Sequence, residues 1–521
     1  MIEGKIRGIE HEYPVSLQYE AHRYNPSILA NAAIYGLKKL GYTKYLEWDI
    51  TSEKGQHSEI NIQSTHALNS SRIYNDLGHL EISSPTYNNP FDAVALEKAS
   101  EIYAYIGSEA ATNALQAKVF VHKNNIANFF ISSSGQSKLI SNTYATHGNI
   151  LMSRKEVKSW NRVEKALIPW VITRILFTGS GDIVSGDYAG GLHHPPKFVI
   201  SPRAMFTYCE SSLDTTSKRG ILNTRDQPHA NVQKYWRLHD IHYEGLRNEY
   251  AIFMRDVTQS FVMYAFEEGL LDDAPAISDP VNAFKELSSD TQECKWKIEL
   301  KNGNKTDAPD ILNYYLDRIE VCIEKTNKEI GEWDKIGLDS FKKLLVKLEN
   351  RCIESYVDGI DWVTKLALLV NYEPKTAKEG ISICNQYALL DQSVWYYARD
   401  TEYAQNQNHA RLTLFNPRES LSFAKKEISK VDWSNLKERV KYCVENAPET
   451  TRDYFRSIIL KKYPEYITAL SWSKIDLKQG TILLDEPFML NKKEFDIESI
   501  ESIERVLKIV KDIYPNKVIN N

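Results

Sequence analysis

The chain has 521 residues, 42% hydrophobic and 26% charged, with a formal net charge of -5; it can bury a large core, and it lacks the basic excess of a nucleic-acid-binding surface. Its cysteines (Cys209, Cys294, Cys322, Cys352, Cys384 and Cys443) form no C-x-x-C pair, which argues against a zinc cluster or a disulfide framework. The opening MIEGKIRGIEHEY has no apolar signal region, and no later run approaches about 20 uncharged apolar residues, so a soluble, cytoplasmic protein with no membrane or nucleic-acid partner is expected.

Residues 5–13 read as a strand, and its two-residue period puts Glu10 and Glu12 on one face. Adjacent carboxylates suit a hard cation such as magnesium; taken alone, the pattern is read first as a solvated strand face. A helix is expected over 27–40, started near Asn25-Pro26, followed by strands over 72–76 and 79–83 joined at Leu77-Gly78. Arg72, Tyr74 and Asp76 then share a face, and Glu81 and Ser83 alternate in the same way. An arginine fork suits phosphate, and an aspartate beside a metal can act as base or nucleophile; an edge strand of mixed charge has the same spacing. A helix over 90–106 presents Phe91, Val94, Leu96 and Ile102.

Residues 114–269 mix strands, Gly-rich turns and helices. From about residue 310 the pattern is chiefly helical, with helices over 314–330 and 338–355. A boundary near 440 gives a large domain, 1–440, and a small one, 441–521. Within the latter, 496–514 place Ile497, Ile500, Ile503, Leu507 and Val510 on one stripe, read as ordinary packing. Gly179-x-Gly181 lacks a following Lys-Ser/Thr and reads as a turn. His193-His194 reads as surface loop, and Ser132-Ser133-Ser134-Gly135 as a flexible turn. His239 and His242, three apart on a possible helix, read as structural or substrate-facing, with no third soft ligand nearby.

In order and spacing these segments resemble the family of Pup ligases and Pup deamidases (depupylases). The resemblance rests on Gly8-Ile9-Glu10-His11-Glu12-Tyr13, Arg72-Ile73-Tyr74-Asn75-Asp76 with His79-Leu80-Glu81 and Ser84-Pro85, His147-Gly148-Asn149, and Thr178-Gly179-Ser180-Gly181. Its longest stretch runs from Ser201-Pro202-Arg203 through Asn223-Thr224-Arg225-Asp226-Gln227-Pro228-His229-Ala230 to Arg237-Leu238-His239, and Thr450-Thr451-Arg452 through Arg456 and Ser471-Trp472 complete it. It implies an α+β, glutamine-synthetase-like (carboxylate–amine ligase) large domain with a curved antiparallel sheet, plus a small C-terminal domain contributing to the nucleotide site. ATP and Mg2+ are the implied cofactors. A small Pup-like or ubiquitin-like protein modifier and its conjugates are the implied partners. Asp76 falls on the catalytic position, Glu10, Glu12, Tyr74 and Glu81 on metal positions, and Arg72, Ser84, Arg203, Arg225 and Trp472 on nucleotide positions. His147, Asn149 and His229 fall on substrate positions.

Thr178-Gly179-Ser180-Gly181, Leu151-Met152-Ser153-Arg154, Lys218-Arg219-Gly220 and Trp48-Asp49 are worded more like the deamidase branch. The implied activity is ATP- and magnesium-dependent hydrolysis at a glutamate/glutamine amide or isopeptide bond. A ligase working through a γ-glutamyl phosphate, a phosphotransferase and a non-catalytic adaptor stay open beside it. The chain departs from the family pattern at Gly148, Tyr208, Gln227 and Asn231, where carboxylates are expected, and at Val257, where glycine is. Residues 129–144 insert extra polar residues. Loss of these carboxylates is expected to weaken charge compensation at the metal.

Overall fold

Strand β1 (Arg7–Tyr13) alternates as expected: Arg7, Ile9, His11 and Tyr13 are buried, whereas Gly8, Glu10 and Glu12 are half-buried on the other face. The computed structural model describes residues 5–17, 25–44, 47–48, 64–133, 136–157, 159–185, 195–326, 329–391, 394, 435–495 and 500–520. Around β1 the chain assembles a nine-stranded sheet. Its other strands are β2 (Thr43–Lys44), β3 (Ser64–Ala67), β4 (Arg72–Asp76), β5 (His79–Ser83), β6 (Thr146–Ser153), β7 (Cys209–Ser212), β8 (Gly220–Asn223) and β9 (Tyr235–Tyr243). They lie in the order β7-β8-β9-β6-β1-β5-β4-β3-β2.

Neighbours are antiparallel except β7 and β8, which are parallel. The expected antiparallel sheet is therefore mixed at one edge. The chain turns back between those strands in a loop ordered by Asp214, whose carboxylate accepts from the N–H groups of Thr216 (2.7 Å), Ser217 (3.2 Å) and Lys218 (3.0 Å).

Helix α1 (Pro26–Lys39) begins at Asn25, whose side chain accepts from the Ser27 N–H at 2.9 Å, a standard N-cap ahead of a first-turn proline. It packs on α2 (Pro90–Leu115) and on β4 and β5. Helix α2 runs well past the expected end at residue 106. Gly107 does not stop it, because that glycine sits inside the helix crossing: an added Cβ would lie 3.2 Å from the Ala33 Cβ, and one at Gly36 would lie 2.3 Å from the Ala110 Cβ. Mid-helix glycine costs about 1 kcal/mol, offset here by backbone approach. The expected helix over 338–355 is Glu332–Glu349 and stops at Arg351, whose φ of 58° is left-handed. The one over 314–330 is Ala308–Thr326, with Pro309 in its first turn.

The helix-facing side of β1 carries charge. Arg7 donates to Asp256 of α3 (Glu249–Glu267) at 2.9 and 2.6 Å. Glu97 of α2 pairs with Lys123 at 3.1 Å, with His11 at 3.2 Å and with Arg255. Buried charges persist only when paired; these pairs fix β1 from behind, on either side of Glu10.

A second apolar cluster runs from Tyr454 to Val510, whereas Leu436, Val440, Cys443 and Val444 pack into the main core. It is built from α4 (Asp453–Lys462), β10 (Ile467–Leu470), β11 (Lys474–Leu477), β12 (Gly480–Leu483), α5 (Ile503–Ile513) and β13 (Val518–Asn520). The α5 stripe packs into this cluster through Ile503, Val506 and Val510. Strand Glu47–Trp48 joins the small sheet in parallel with β10. Among the described residues no helix is long and apolar enough to cross a membrane.

Candidate active site

The antiparallel register builds the site row by row. One row is His147–Glu10–Ser83–Arg72–His66, across β6, β1, β5, β4 and β3. The next is Glu12–Glu81–Tyr74–Ser64, and Asp76 stands directly opposite His79. The turn between them is Leu77-Gly78, with φ of 48° and 93°, the left-handed pair that a two-residue hairpin connection requires.

Two clusters follow. The ligand atoms of Glu12, Asp76 and Glu81 lie within 4.8 Å of one another, as do those of Glu10, His147 and His239. The Glu10 carboxylate accepts from Asn149 Nδ2 at 3.1 Å and contacts His147 Nδ1 at 3.3 Å; His239 Nε2 lies at 3.7 Å. Arg237 donates to Asn149 Oδ1 at 2.7 Å.

Their electrostatics differ. Burial, then Asp76, Glu10 and Glu12, push the Glu81 carboxyl well above its ordinary range. Burial, then Glu81, Glu10 and Asp76, raise Tyr74, which keeps its phenol proton. Burial also works against ionised Glu10, but hydrogen bonds to His147 and His239 bring it well below the usual range. His239 is pushed down to about 3 by burial and Arg237, so at neutral pH it is an uncharged imidazole with a lone pair. The donor sets fit divalent cations: three carboxylates suit a hard ion, and one carboxylate with two imidazoles suits a borderline one.

Beside the acidic rows lies an apolar pocket of about 550 Å³, lined by Gly8, Ile9, Ser84, Ile150, Pro228 and Trp472, among others. It is contiguous with the main cleft, of about 1570 Å³, through Glu10, Ser83, His229, Arg237 and Trp472, which line both. The Arg456 guanidinium lies 4.8 Å from the Trp472 ring centroid and pairs with Asp453. Asp453 in turn accepts from Thr86 N at 2.7 Å and Thr86 Oγ1 at 2.6 Å. Arg452 donates to the His229 carbonyl at 2.7 Å. The C-terminal part thereby closes one side of the pocket.

Eleven of the residues singled out from sequence line the main cleft: Glu10, Glu12, Arg72, Tyr74, Asp76, Glu81, His147, Arg203, Arg225, His229 and Trp472. Ser84 and Asn149 line the apolar pocket. The Ser84 hydroxyl is engaged within the protein, accepting from Ile9 N at 3.0 Å and donating to the Pro85 carbonyl at 2.9 Å. Arg72 lies over the Tyr74 ring, 4.1 Å from its centroid. His229 is held down to about 3 by burial and Arg237. Arg203, held down to about 9 by burial and Arg219, stands with Arg219 and Thr216 in the cleft away from the apolar pocket.

His239, read from sequence as structural or substrate-facing, also lines the cleft, together with Arg237, Arg219, His79 and Tyr144, to which sequence reasoning gave no role. The expected helix around 239–242 is strand β9, bulged against β6 between Thr146 and Gly148. Period-two reading of Tyr235, Arg237 and His239 was the available signal. Gly179 and Gly181 form the expected turn, Gly181 with φ 65° tight against Trp362. His193-His194, Gly135 and the loop after Trp48 lie outside the described residues.

Among known proteins, the profile of the Pup-ligase protein family matches residues 5–476. The chain belongs to the Pup-ligase protein family. It is 26% identical over 494 residues to the depupylase of Acidothermus cellulolyticus, covering 90% of each chain. It is 28% identical to the Pup deamidase/depupylase of Mycolicibacterium smegmatis (91% of this chain, 92% of that one). With the Pup--protein ligase of Acidimicrobium ferrooxidans it shares 26% identity (94% and 97%). The ligase PafA, solved with the prokaryotic ubiquitin-like protein Pup, superposes with a TM-score of 0.69 at 21% identity over 99% of this chain and 93% of that one. PafA in complex with ADP gives 0.64 at 22% identity, covering 89% and 92%. The α+β fold is that of this family.

The departures from the family pattern now have positions. Gly148 lies on the buried face of β6, and a Cβ there would meet the Tyr243 ring at 2.5 Å. The carboxylate missing at 148 therefore does not come off the cleft wall. Val257 is buried in α3 against Gly337, where an added Cβ would lie 2.5 Å from Val257 Cγ2, so the glycine of the facing helix makes room for this valine. Tyr208 is 37% exposed, and Gln227 is the substituted position that lines the cleft.

Proposed function

We propose that the protein is an ATP- and magnesium-dependent enzyme that hydrolyses the amide or isopeptide bond at the terminal glutamine or glutamate of a small Pup-like modifier. The observation that carries this reading is one continuous cleft. It has the carboxylates of Glu12, Asp76 and Glu81 at one end and the apolar pocket beside Trp472 at the other. The deamidase-like wording of residues 178–181 and the depupylases among its relatives favour hydrolysis. Free cysteines throughout fit a cytoplasmic site of action. Two domains are part of the proposal, 1–440 for catalysis and 441–521 supporting the nucleotide pocket; the separation of the two apolar cores supports a division into two, although Cys443 and Val444 still pack into the main core and the second core begins at Tyr454.

Glu10, Glu12, Tyr74 and Glu81 would hold magnesium, with His147 and His239 beside Glu10. Bound magnesium offsets phosphate charge and charge developing at the reacting carbonyl. Trp472 offers a flat apolar face to a base, and Arg72 and Arg225 offer cations to phosphates. Asp76 attacks the carbonyl or orients the attacking water. Arg203, expected from the resemblance at the nucleotide, lines the cleft and not the apolar pocket; with Arg219 and Thr216 it is proposed instead to supply donors for an anionic part of the substrate at the Asp76 end.

The ligase reading uses the same groups, with Asp76 taking the proton of an incoming lysine amine; the extended match to a Pup--protein ligase favours keeping it as the second reading. Incubation with ATP, magnesium and a glutamine-ended tail peptide separates them. Hydrolysis converts amide to acid, seen in the peptide mass, with little ATP turnover. Stoichiometric ADP release with isopeptide formation would replace it with ligation, and a stable phosphate adduct with phosphotransfer.

A further inference from the structure

The residues inserted before His147 form a β-hairpin, Ile126–Ser133 with Gln136–Thr143, in register from Ile126↔Thr143 to Ser133↔Gln136. Among the described residues it pairs with no further strand. Eight residues per arm reach roughly 26 Å at about 3.3 Å per residue. Its root is fixed. Ser141 Oγ donates to Asn128 Oδ1 at 2.6 Å and accepts from Ser185 N at 2.9 Å. Asn128 Nδ2 donates to the Ile183 carbonyl at 3.1 Å, and Tyr144 Oη donates to Asn124 Oδ1 at 2.8 Å. The root opens into the cleft through Asn142, Thr143 and Tyr144, none of which lines the apolar pocket. The Tyr144 ring lies 4.8 Å from the imidazole of His79, the residue directly opposite Asp76.

A scissile amide has an acyl side, belonging to the modifier, and a nitrogen side. In hydrolysis the water oxygen bonds to the acyl carbon, the C–N bond breaks, and the water's proton leaves with the amine. When that amine is a lysine of a conjugated protein, a whole protein must stand at the Asp76 end of the cleft. The hairpin root is at that end, and from it the two arms stay paired in register from Ile126↔Thr143 to Ser133↔Gln136.

We propose that this hairpin is the wall that meets the leaving group, the lysine-bearing protein, and so sets which conjugates are cleaved. The proposal rests on the hydrolytic reading above. It predicts that the hairpin is silent when the leaving group is ammonia.

The test compares two reactions of the full chain: deamidation of a glutamine-ended tail, and cleavage of the same tail from several lysine-linked proteins. Residues 131–138 are replaced by an Asn-Gly turn joining Phe130 to Leu139. Deamidation should keep its kcat/KM within about twofold, while conjugate cleavage changes by about tenfold or more and unequally among targets. Equal changes in both reactions, or in neither, would overturn the proposal. If the shortened chain does not fold, as judged by its thermal transition, Asn142→Arg, at the exposed root residue that lines the cleft, decides instead. An altered ranking of targets supports the hairpin's role, and an unaltered one overturns it. Failure of the unaltered protein in both reactions would strike the hydrolytic reading itself.

Discussion

At Trp472 a single side chain is held in place from behind by Arg456, which is itself fixed by Asp453. Stacking of a base on an aromatic face contributes about 1–3 kcal/mol, so Trp472→Ala should raise the nucleotide Kd by about tenfold or more, measured by calorimetric titration, with little change in thermal stability. An unchanged Kd would remove Trp472 from the nucleotide site. The cleft carboxylates were legible from spacing: Glu10 and Glu12 lie at period two on β1, which alternates buried and half-buried, Tyr74 and Asp76 lie at period two on β4, and Glu81 stands opposite both Glu12 and Tyr74. His239 was only half legible. Strand β9 is buried on both faces over most of its length and bulged against β6, so polarity does not mark its cleft side and the period of Tyr235, Arg237 and His239 is the one signal left. The carboxylate absent at 148 misled in the opposite direction, because side-chain direction in a strand depends on parity, and 148 shares parity with buried Thr146 and Ile150.

At the scale of elements, the crossing of α1 and α2 depends on Gly36 and Gly107 meeting alanines. Gly107→Leu must push side-chain atoms into Ala33 and Leu37, and overpacking of that kind costs about 1–3 kcal/mol. A lowered thermal transition with retained helical circular dichroism is expected, whereas Gly107→Ala should do less; equal transitions for both variants would contradict the close crossing. The same glycine explains why α2 reads too short in the sequence. Propensity treats glycine as a stop, while tertiary packing uses it as a contact. Helix ends elsewhere shifted by several residues where a left-handed residue or a first-turn proline set the boundary, and periodicity does not carry that information. The parallel pairing of β7 with β8 was hidden likewise, since it follows from the loop at Asp214 and not from strand pattern.

Across the whole molecule, buried and half-buried histidines set a pH response, His66 and His242 being buried and His122 half-buried. Burial holds His122 at about 4 and His242 at about 3, the latter with Arg203 nearby, and His66 well below the usual range. In the unfolded chain each would titrate near about 6.5. Above that pH both states are neutral and nothing is lost. As pH falls below it, the unfolded chain takes up protons that the folded chain refuses. Unfolding is then favoured by about 1.4 kcal/mol per pH unit for each such histidine, until its folded value is reached. The thermal transition should fall between about pH 7 and about pH 5, before most carboxylates titrate, and His242→Asn should shallow the slope if the fold is kept. A transition flat over that interval would contradict this account.

The central claim is that Asp76 does the chemistry in a cleft whose nucleotide end is separate from it. The most direct measurement is paired, on the unaltered chain and Asp76→Asn: nucleotide affinity in the presence of magnesium, and the rate of conversion of a glutamine-ended tail followed by mass. The account predicts a nucleotide Kd within about threefold and a turnover rate lower by about 10²–10⁴, the usual contribution of a positioned base or nucleophile. Turnover by Asp76→Asn at the unaltered rate would contradict it.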